Sequence, residues 1–345
     1  MPRQTKVRLA VDAHGGDHGL SATLPAAFAA LRGDSAIEIV MVGRREDIES
    51  GLADTPGASD KSLRERLDFH YVESALPMDV RAVTALRKGE GSSLWEAIRL
   101  VADARADGCV SGGNTGAMMA LGVRLVGMLP GIERPVLMAY IPHANGFTAA
   151  LDLGANLSVT ERQLVQFAVM GSLTAEKVDG IANPRVGLLN VGHEESKGPM
   201  IVQAAHALLK EMPINYIGFV EGNDLYAGTV DVAVCDGFSG NLIIKASEGL
   251  ARMTMLQLRQ AFAGSLRGRL GAWLARPALV RMLAGLDPSA HNGAPLLGLR
   301  GVVVKSHGHA DDKAYTQAIL EAAQAARKEL PQRIDSLIQQ YHLEA

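Results

Sequence analysis

The stretch CVSGGNTGAMMALG, residues 109–122, joins a short apolar run to a Met- and Ala-rich run through a loop that contains three glycines, an Asn and a Thr. The first run has the composition of a buried strand and the second that of a helix. A strand that passes through a glycine-rich loop into a helix is the repeating unit of a parallel sheet covered by helices. The stretch therefore predicts an α/β fold, and the missing side chains predict that something approaches this backbone closely.

Similar units recur along the chain. Short β-rich runs, most of them ending in Gly, Asp or Asn, precede longer helical patterns, and several are apolar almost throughout, which is typical of strands covered on both faces. The runs are 6–12, 37–43, 68–74, 108–112, 135–141, 147–153, 185–191, 214–220, 231–236 and 301–306. Only PHANG separates 135–141 from 147–153, and its Asn145-Gly146 pair predicts a hairpin turn. We expect a three-layer αβα arrangement with a mostly parallel sheet that contains one antiparallel hairpin.

Length and composition restrict the function. The 345 residues form one large α/β catalytic unit, 1–345, or two lobes with a cleft between them. With 48% apolar residues and a net charge of −3, the chain is typical of a globular protein without a nucleic-acid partner. Two cysteines, Cys109 and Cys235, exclude a disulfide framework and a cysteine-rich metal site. No signal-length apolar region and no run of 18 apolar residues is present, so we expect a cytoplasmic protein.

Six glycine-rich loops follow the strand-like runs, at 12–19, 111–116, 152–156, 190–198, 235–241 and 305–312. In an open parallel sheet such loops gather at one edge, so we expect them to surround one ligand. Glycine amides and helix N-termini favour an oxyanion such as phosphate. The candidate binding residues are His14, Gly15, Gly16, Gly113, Asn114, Thr115, Gly116, Asn156, Ser239, Gly240, Lys245 and Lys305. Taken one at a time, these positions also fit ordinary turns, helix caps and surface ion pairs.

Common cofactor and nucleophile motifs are absent from the sequence. It contains no G-x-G-x-x-G fingerprint, no Walker motif and no G-x-S-x-G elbow. Both cysteines fall at the ends of apolar runs without a neighbouring cation, which favours structural roles. His and Asp cluster near residues 12–18 and 307–312, but neither cluster has a diagnostic ligand spacing. We therefore predict neither a metal nor a cofactor.

The loops and their flanking strands strongly resemble the PlsX family, the acyl-carrier-protein:phosphate acyltransferases of phospholipid synthesis. The resemblance covers about residues 6–330. It is carried, in order, by AVDAHGGDHG, ARADGCVSGGNTGAMMALG, GIERPVL, LDLGAN, LVQFAVMGS, NPRVGLLNVGHEESKG, INYIGFVEGNDL, DVAVCDGFSGN and NGAPLLGLRGVVVKSHGHAD. It implies a fold of the isocitrate/isopropylmalate dehydrogenase and phosphotransacetylase group, a homodimer, and transfer of a long acyl chain from acyl carrier protein to inorganic phosphate.

Three positions depart from the family pattern. His14 stands where Met is usual, His193 stands where an acid is common, and Ser-Val-Thr at 158–160 replaces a stretch that commonly carries Asp and Cys. The last departure argues against a covalent cysteine mechanism at that place. The two histidines leave open whether this member tunes its site differently.

The chemistry implied by the resemblance needs no protein nucleophile, because phosphate supplies the attacking atom. The site must hold a dianion and stabilise charge on the thioester oxygen. Lys197 and Lys245 would attract phosphate, while Asn114, Asn156 and Asn241 would donate hydrogen bonds. Lys305 and His307 would contact the anion or the leaving group, and Asp12 would orient a cation or act as base. As catalytic residues we select Lys197, Asn241, His307 and Asp12.

The segment 249–290, called the basic arm below, has a different character. Between 249 and 286 it carries six arginines and no acid, and Leu258, Phe262, Leu266, Leu270 and Leu274 recur every four residues. We expect an amphipathic helix, broken in two at Pro277, that contacts an anionic membrane surface, the acidic carrier protein or a second subunit. The expected contact residues are Arg267, Arg269, Leu270, Trp273, Leu274, Arg276 and Arg281.

Two other classes of function remain open from sequence alone. One is a different enzyme on the same fold: a phosphotransacetylase that uses acyl-coenzyme A, or a metal-dependent NAD dehydrogenase. The other is a non-catalytic lipid-binding scaffold that uses the basic arm. A scaffold would leave the six loops without a purpose.

Overall fold

A single sheet organises the protein in the computed structural model, which describes residues 5–143, 145–286 and 292–341. Within these ranges the strands are β1 (Val7–Asp12), β2 (Ile37–Arg44), β3 (Leu67–Val72), β4 (Gly108–Ser111), β5 (Val136–His143), β6 (Gly146–Leu151), β7 (Val186–Leu189), β8 (Tyr216–Val220), β9 (Val232–Val234), β10 (Ala294–Leu297) and β11 (Val302–Lys305). Each predicted run coincides with a strand.

Helices fill most connections between the strands. They are α1 (Leu20–Gly33), α2 (Arg45–Asp54), α3 (Lys61–Arg64), α4 (Ala82–Lys88), α5 (Ser93–Ala102), α6 (Thr115–Leu121), α7 (Glu161–Lys177), α8 (Met200–Leu209), α9 (Asp224–Ala227), α10 (Gly237–Ala263), α11 (Leu266–Leu286), α12 (Asp312–Arg327) and α13 (Leu330–Gln340). A π-helical turn at Gly122–Val126 continues α6.

The described strands lie in the order β3-β2-β1-β4-β11-β10-β5-β6-β9-β7-β8. The first five are mutually parallel, and so are the last four. Three antiparallel steps, β11 to β10, β10 to β5 and β5 to β6, separate the two blocks. An odd number of reversals makes the two blocks run in opposite directions.

Both faces of the sheet are buried under helices. Alternate residues of each strand enter two hydrophobic cores: Leu9 and Val11 of β1 pack into one core, and Ala10 into the other. The first core is completed by α1, α7, α12 and α13, and the second by α5 and α6. The near-continuous apolar character of the strands follows from this double coverage. The predicted three-layer αβα arrangement is confirmed.

The hairpin between β5 and β6 is also confirmed, with Met138 opposite Leu151 and His143 opposite Gly146. Strand β10 was not predicted. It has only four residues, and its second residue is Pro295, so neither length nor composition indicates a strand. It nevertheless fills the middle of the sheet between β11 and β5.

The basic arm is helical, but the expected break at Pro277 is wrong. Helix α11 continues through Pro277, and the helix is instead interrupted at Gly264 and Ser265, between α10 and α11. Glycine has the lowest helix propensity after proline, and it ends α10 here. Residues 287–290 of the segment, and the side chain of Arg281, lie outside the described part of the chain.

Candidate active site

Three strand-end loops meet at the carboxyl edge of the five-stranded block. Strands β1, β4 and β11 are parallel neighbours, so the loops that follow them leave the sheet side by side. These loops, residues 12–19, 111–116 and 305–312, are called the first loop group.

Their main chains touch directly. A Cβ atom on Gly15 would lie 2.7 Å from the amide nitrogen of Gly112, and one on Gly112 would lie 2.9 Å from the carbonyl oxygen of Gly15. Gly16 has a φ angle of +96°, and a Cβ there would lie 2.9 Å from the carbonyl oxygen of Gly308. Another stretch of backbone is therefore what approaches the SGGNTG loop so closely.

A buried carboxylate holds this arrangement. Asp12 is 2% exposed, and its Oδ2 accepts a hydrogen bond from Ser111 Oγ at 2.7 Å. The same Ser111 Oγ accepts from the amide of Gly113 at 2.9 Å, and Asp12 Oδ1 accepts from the amide of His14 at 3.2 Å. Burial raises the pKa of Asp12 although these hydrogen bonds act to lower it. Asp12 thus binds the amide of His14 directly and is linked to the amide of Gly113 through Ser111.

His14 uses its ring nitrogen as an acceptor. Nε2 accepts the backbone N–H of Arg44 at 2.9 Å, directly before α2 begins. Burial is the main cause that lowers the pKa of His14, and the nearby guanidinium of Arg44 adds to it. The neutral imidazole therefore ties the β1 loop to the start of α2.

Lys305 points into the first loop group from the end of β11. Its Nζ donates to the carbonyl oxygen of Gly112 at 3.1 Å and to that of Ser306. Burial lowers the pKa of Lys305 to about 8, and the charge of Lys245 acts in the same direction. A largely desolvated ammonium therefore lies beside the glycine amides, where an anion would be favoured.

Helix α10 brings further charge to this place. Lys245 Nζ lies 2.9 Å from Glu248 Oε2, and His307 Nε2 lies 3.3 Å from Glu248 Oε1. Partial burial acts to raise the pKa of Glu248, but Lys245 and His307 outweigh it and lower that pKa. Glu248 was not among the residues predicted from the sequence, although it is the last acid before the acid-free stretch 249–286 and lies three residues after Lys245.

The asparagine and the two residues after it in the SGGNTG loop begin a helix. Asn114 Oδ1 accepts the amide of Ala117 at 2.9 Å and so caps α6, while its Nδ2 donates to the carbonyl oxygen of Met78 at 2.8 Å. Thr115 and Gly116 form the first turn of α6. Asn114 therefore has the helix-cap role that the sequence left open as its alternative.

The remaining three loops follow β6, β7 and β9 of the four-stranded block. These loops, residues 152–156, 190–198 and 235–241, are called the second loop group. Because the two blocks run in opposite directions, the carboxyl ends of their strands lie at opposite edges of the sheet. The expectation that all six loops gather at one edge is wrong, and helix α10 links the two groups instead.

Asp152 organises the second loop group. Its carboxylate accepts from the amides of Leu137, Ala155 and Asn156 and from Asn156 Nδ2, at 2.5–3.2 Å. Asn156 Nδ2 also donates to the carbonyl oxygen of Pro135 at 2.8 Å, so both of its amide hydrogens are used. Burial raises the pKa of Asp152 against these hydrogen bonds. Asn156 therefore holds the loop together.

The start of α10 packs against Asp152. Asp236 caps the helix by accepting from the amide and the hydroxyl of Ser239, at 2.8 and 2.9 Å. A Cβ atom on Gly240 would lie 1.9 Å from the carbonyl oxygen of Asp152, so only glycine fits there. Asn241 follows on the exposed side, beside Gly154, and within the described residues its amide makes no hydrogen bond.

Lys197 stands apart from the other selected residues. Its Nζ pairs with Glu194 at 2.8 Å, and 49% of its side chain is exposed. Asn190 Nδ2 donates to the carbonyl oxygens of Gly192 and Lys197, at 3.2 and 3.1 Å, which closes the loop. Across the described ranges, no hydrogen bond or ion pair joins this loop to Asn241 or to the first loop group.

The basic arm presents its selected residues to solvent. Leu270, Trp273 and Leu274 are 59%, 70% and 66% exposed. The arginines among the selected residues with described side chains are exposed too: Arg267, Arg269 and Arg276. In the described part of the chain, no helix combines the length and apolar character needed to cross a bilayer.

The cysteines and possible metal ligands add little to the site. Cys109 and Cys235 are buried free thiols, and burial raises the pKa of both. No group of three or more His, Cys, Asp or Glu side chains among the described residues is arranged to hold a metal ion. His309 contacts Asp17, and His307 contacts Glu248, so both histidines of the β11 loop face carboxylates.

Solved structures share this fold. A phosphotransacetylase from Streptococcus pyogenes superposes with a TM-score of 0.60 at 18% identity, over 93% of this chain and 94% of that one. The EutD phosphotransacetylase from Staphylococcus aureus gives 0.58 at 16% identity, over 94% and 96%. The protein is thus an α/β protein of the phosphotransacetylase fold.

Sequence relatives define the family more narrowly. The profile of the family described as fatty acid synthesis protein matches residues 7–333. Phosphate acyltransferases from Shewanella amazonensis and Alkalilimnicola ehrlichii are 47% and 44% identical, over 96% of this chain and 96% of each relative. The chain belongs to this family, the PlsX family of phosphate acyltransferases.

Proposed function

We propose that the protein transfers a fatty acyl group from acyl carrier protein to inorganic phosphate and releases acyl phosphate for phospholipid synthesis. Membership of the family supports acyl transfer to phosphate, and the carrier protein is the donor that we add. One structural observation supports the proposal: Lys245 and His307 lie close to the desolvated Lys305, whose Nζ donates to the carbonyl oxygen of Gly112 in the first loop group. This is an environment for a multiply charged oxyanion.

The reaction is a direct displacement. A phosphate oxygen forms a bond to the thioester carbonyl carbon, and the carbonyl oxygen becomes negative in the tetrahedral intermediate. The carbon–sulfur bond then breaks, and the thiolate leaves and takes a proton from solvent. Neither cysteine takes part, because burial keeps both thiols protonated.

The selected residues divide between binding and polarising roles. Lys245 and Lys305 hold phosphate against the amides of the first loop group. Lys197 and Asn241, which keep their polar atoms at the surface of the second loop group, stabilise the charge that develops on the thioester oxygen. In this proposal the two strand blocks are two lobes, and the reacting groups meet between them.

The test is a reconstitution. Purified protein, palmitoyl-loaded acyl carrier protein and inorganic phosphate are incubated, and acyl phosphate and free thiol are measured. We expect equal amounts of both products, no acyl phosphate when phosphate is left out, and slower turnover with palmitoyl-coenzyme A. Faster turnover with coenzyme A would assign a different donor, and thiol release without acyl phosphate would exclude the reaction.

We also propose that the basic arm contacts an anionic membrane surface. Its exposed leucines and tryptophan would insert, and its arginines would contact the headgroups. Pelleting with phosphatidylglycerol vesicles should fall sharply for Leu270→Glu and remain unchanged for Leu208→Glu, an exposed leucine on α8 outside the arm. Equal pelleting of both variants would leave the carrier protein or a second subunit as the partner of the arm.

We propose a homodimer as the working assembly. Leu250, Met253 and Leu256 on α10 are 49–60% exposed, which is unusual for three apolar side chains on one helix of an isolated subunit. Light scattering should give twice the mass of the chain, and Met253→Lys should lower it. A fully active monomer would overturn this assignment.

A further inference from the structure

Glu248 touches two residues of the candidate active site, although neither the sequence pattern nor the family resemblance selected it. It lies on α10, three residues after Lys245, so both side chains extend from the same face of the helix. One carboxylate oxygen lies 2.9 Å from Lys245 Nζ, and the other lies 3.3 Å from His307 Nε2. A single carboxylate therefore connects the helix to the loop after β11.

The imidazole of His307 is fixed at both nitrogens. Nδ1 accepts the backbone N–H of His309 at 3.2 Å, so its lone pair is occupied. In the neutral ring the proton must then reside on Nε2, which faces Glu248. The carboxylate thus sets the tautomer and the orientation of the ring together.

The charges around His307 come from two elements. Burial is the largest cause that lowers the pKa of His307, and Lys245 of α10 and Lys305 of β11 add to it. Glu248 acts in the opposite direction and raises that pKa. Lys245 and Lys305 repel each other, so without a negative charge between the helix and the loop Lys245 would turn toward solvent.

We propose that Glu248 is a positioning residue for phosphate: its carboxylate holds Lys245 and His307 in place beside Lys305, so that all three face the same anion. The inference rests on the proposed function. Glu248 itself does not contact phosphate, because its negative charge would repel it. Its action is to pre-organise the cationic side of the site before the anion arrives.

The test uses three variants of the full chain. Glu248→Gln removes the charge and keeps the size, and Glu248→Asp keeps the charge but shortens the reach to Lys245 and His307. Glu49→Gln is the control, since Glu49 forms an ordinary exposed pair with Arg45 on α2. Thermal unfolding of each variant establishes that it is folded, and Glu248→Asp carries the test if Glu248→Gln is not.

Two readouts separate positioning from general damage. In Glu248→Gln we expect the KM for phosphate to rise about tenfold with a smaller change in kcat, as for a lost charged hydrogen bond. NMR titration of the His307 ring should show a lower pKa, because the group that raised it is gone. Glu248→Asp should keep the His307 pKa near that of the wild type and still raise the KM.

Failure of this inference is distinguishable from failure of the proposed function. If Glu248→Gln matches Glu49→Gln in both the KM and the His307 titration, the positioning role is overturned. If the wild type forms no acyl phosphate, the proposed function fails. Calorimetry with inorganic phosphate and the His307 titration then decide the role of Glu248 without the reaction.

Discussion

Each loop group is held together by a buried aspartate at the end of a strand, but the two groups differ in which of their other polar side chains are exposed. In the first, three glycines bring main chains into contact, Asp12 is buried beside them, and Lys305 is half-buried. In the second, Asp152 and Asn156 are just as tightly bonded, but Lys197 and Asn241 remain at the surface.

This difference separates groups that build the loops from groups that are available to a ligand. The carboxylates at strand ends, Asp12 and Asp152, are buried and accept hydrogen bonds from backbone amides or neighbouring side chains. The polar side chains that remain exposed include Lys197 and Asn241 in the second loop group and His307 and His309 in the first. Four substitutions test this division, beginning with the one that should damage the molecule most.

Gly240→Ala should disrupt the packing of α10 against Asp152 in the second loop group. The added Cβ would meet the carbonyl oxygen of Asp152 at 1.9 Å, so α10 must move away from β6. We expect a loss of about 4 kcal/mol in the free energy of unfolding, or failure to fold. Gly249→Ala on the same helix is the control. It has no neighbour within 4 Å and should be neutral or stabilising by up to about 1 kcal/mol in urea unfolding.

Lys197→Ala should affect turnover and not stability. The side chain is half exposed and its pairing with Glu194 contributes little, whereas loss of a charge that polarises the thioester costs about 100-fold in kcat/KM. Lys210→Ala removes a comparably exposed lysine, paired with Glu195, and should retain full activity. Equal activity of the two variants would remove Lys197 from the site.

Asp12→Asn and Asp152→Asn compare the two buried carboxylates directly. Asp152 receives four N–H donors, so an amide NH₂ in its place would face donors and leave them unpaired. Asp12 receives the hydroxyl of Ser111, which can turn round and accept from the new amide. We expect Asp152→Asn to cost about 3 kcal/mol and Asp12→Asn about 1 kcal/mol in urea unfolding. The reverse order would show that the first loop group depends on charge.

Two buried acids outside the loop groups, Asp179 and Glu321, should make the free energy of unfolding depend on pH. Their contribution must be known before a pH dependence is assigned to either loop group. Outside both groups, burial raises the pKa of Asp179 to about 6 and that of Glu321 to about 7, and the charge of Asp179 adds to the rise for Glu321. Because these pKa values lie above the unfolded ones, the folded state is favoured at low pH and loses stability as the pH rises through 5 to 7.

Glu321→Gln should therefore be more stable than the wild type at pH 8 by about 2 kcal/mol, and the advantage should vanish below pH 5. Denaturant unfolding at both pH values measures the difference. A difference that is the same at pH 5 and pH 8 would contradict the assignment of this pH dependence to the buried acids.

The sequence predicted the strands well because strands covered on both faces must be apolar throughout. It also predicted the hairpin from Asn145-Gly146. It did not predict β10, a four-residue strand containing Pro295 that has no recognisable pattern. The antiparallel steps on either side of β10 cancel, so the opposite direction of the two blocks comes from the predicted β5–β6 hairpin, and this consequence of the hairpin was not drawn from the sequence. The loops were found, but their division into two groups follows from this reversal.

The roles of individual polar residues were harder to predict from the sequence. Asn114, Asn156 and Asn241 all follow glycine-rich strand ends, and nothing local distinguishes them. Only the folded structure shows that Asn114 caps α6 and Asn156 binds Asp152, while Asn241 keeps its amide unbonded within the described residues. Glu248 was missed because His307, its partner, is distant in the sequence.

The contact between the backbones of Gly15 and Gly112 limits how segments can be exchanged among relatives. The backbones of the two loops pack directly against each other, and neither loop tolerates a side chain at the point of contact. A hybrid protein that takes the β4 loop from one parent and the β1 loop from another would bring together two backbones that did not pack against each other in either parent. Crossover points for such hybrids therefore belong outside the span from Asp12 to Gly113.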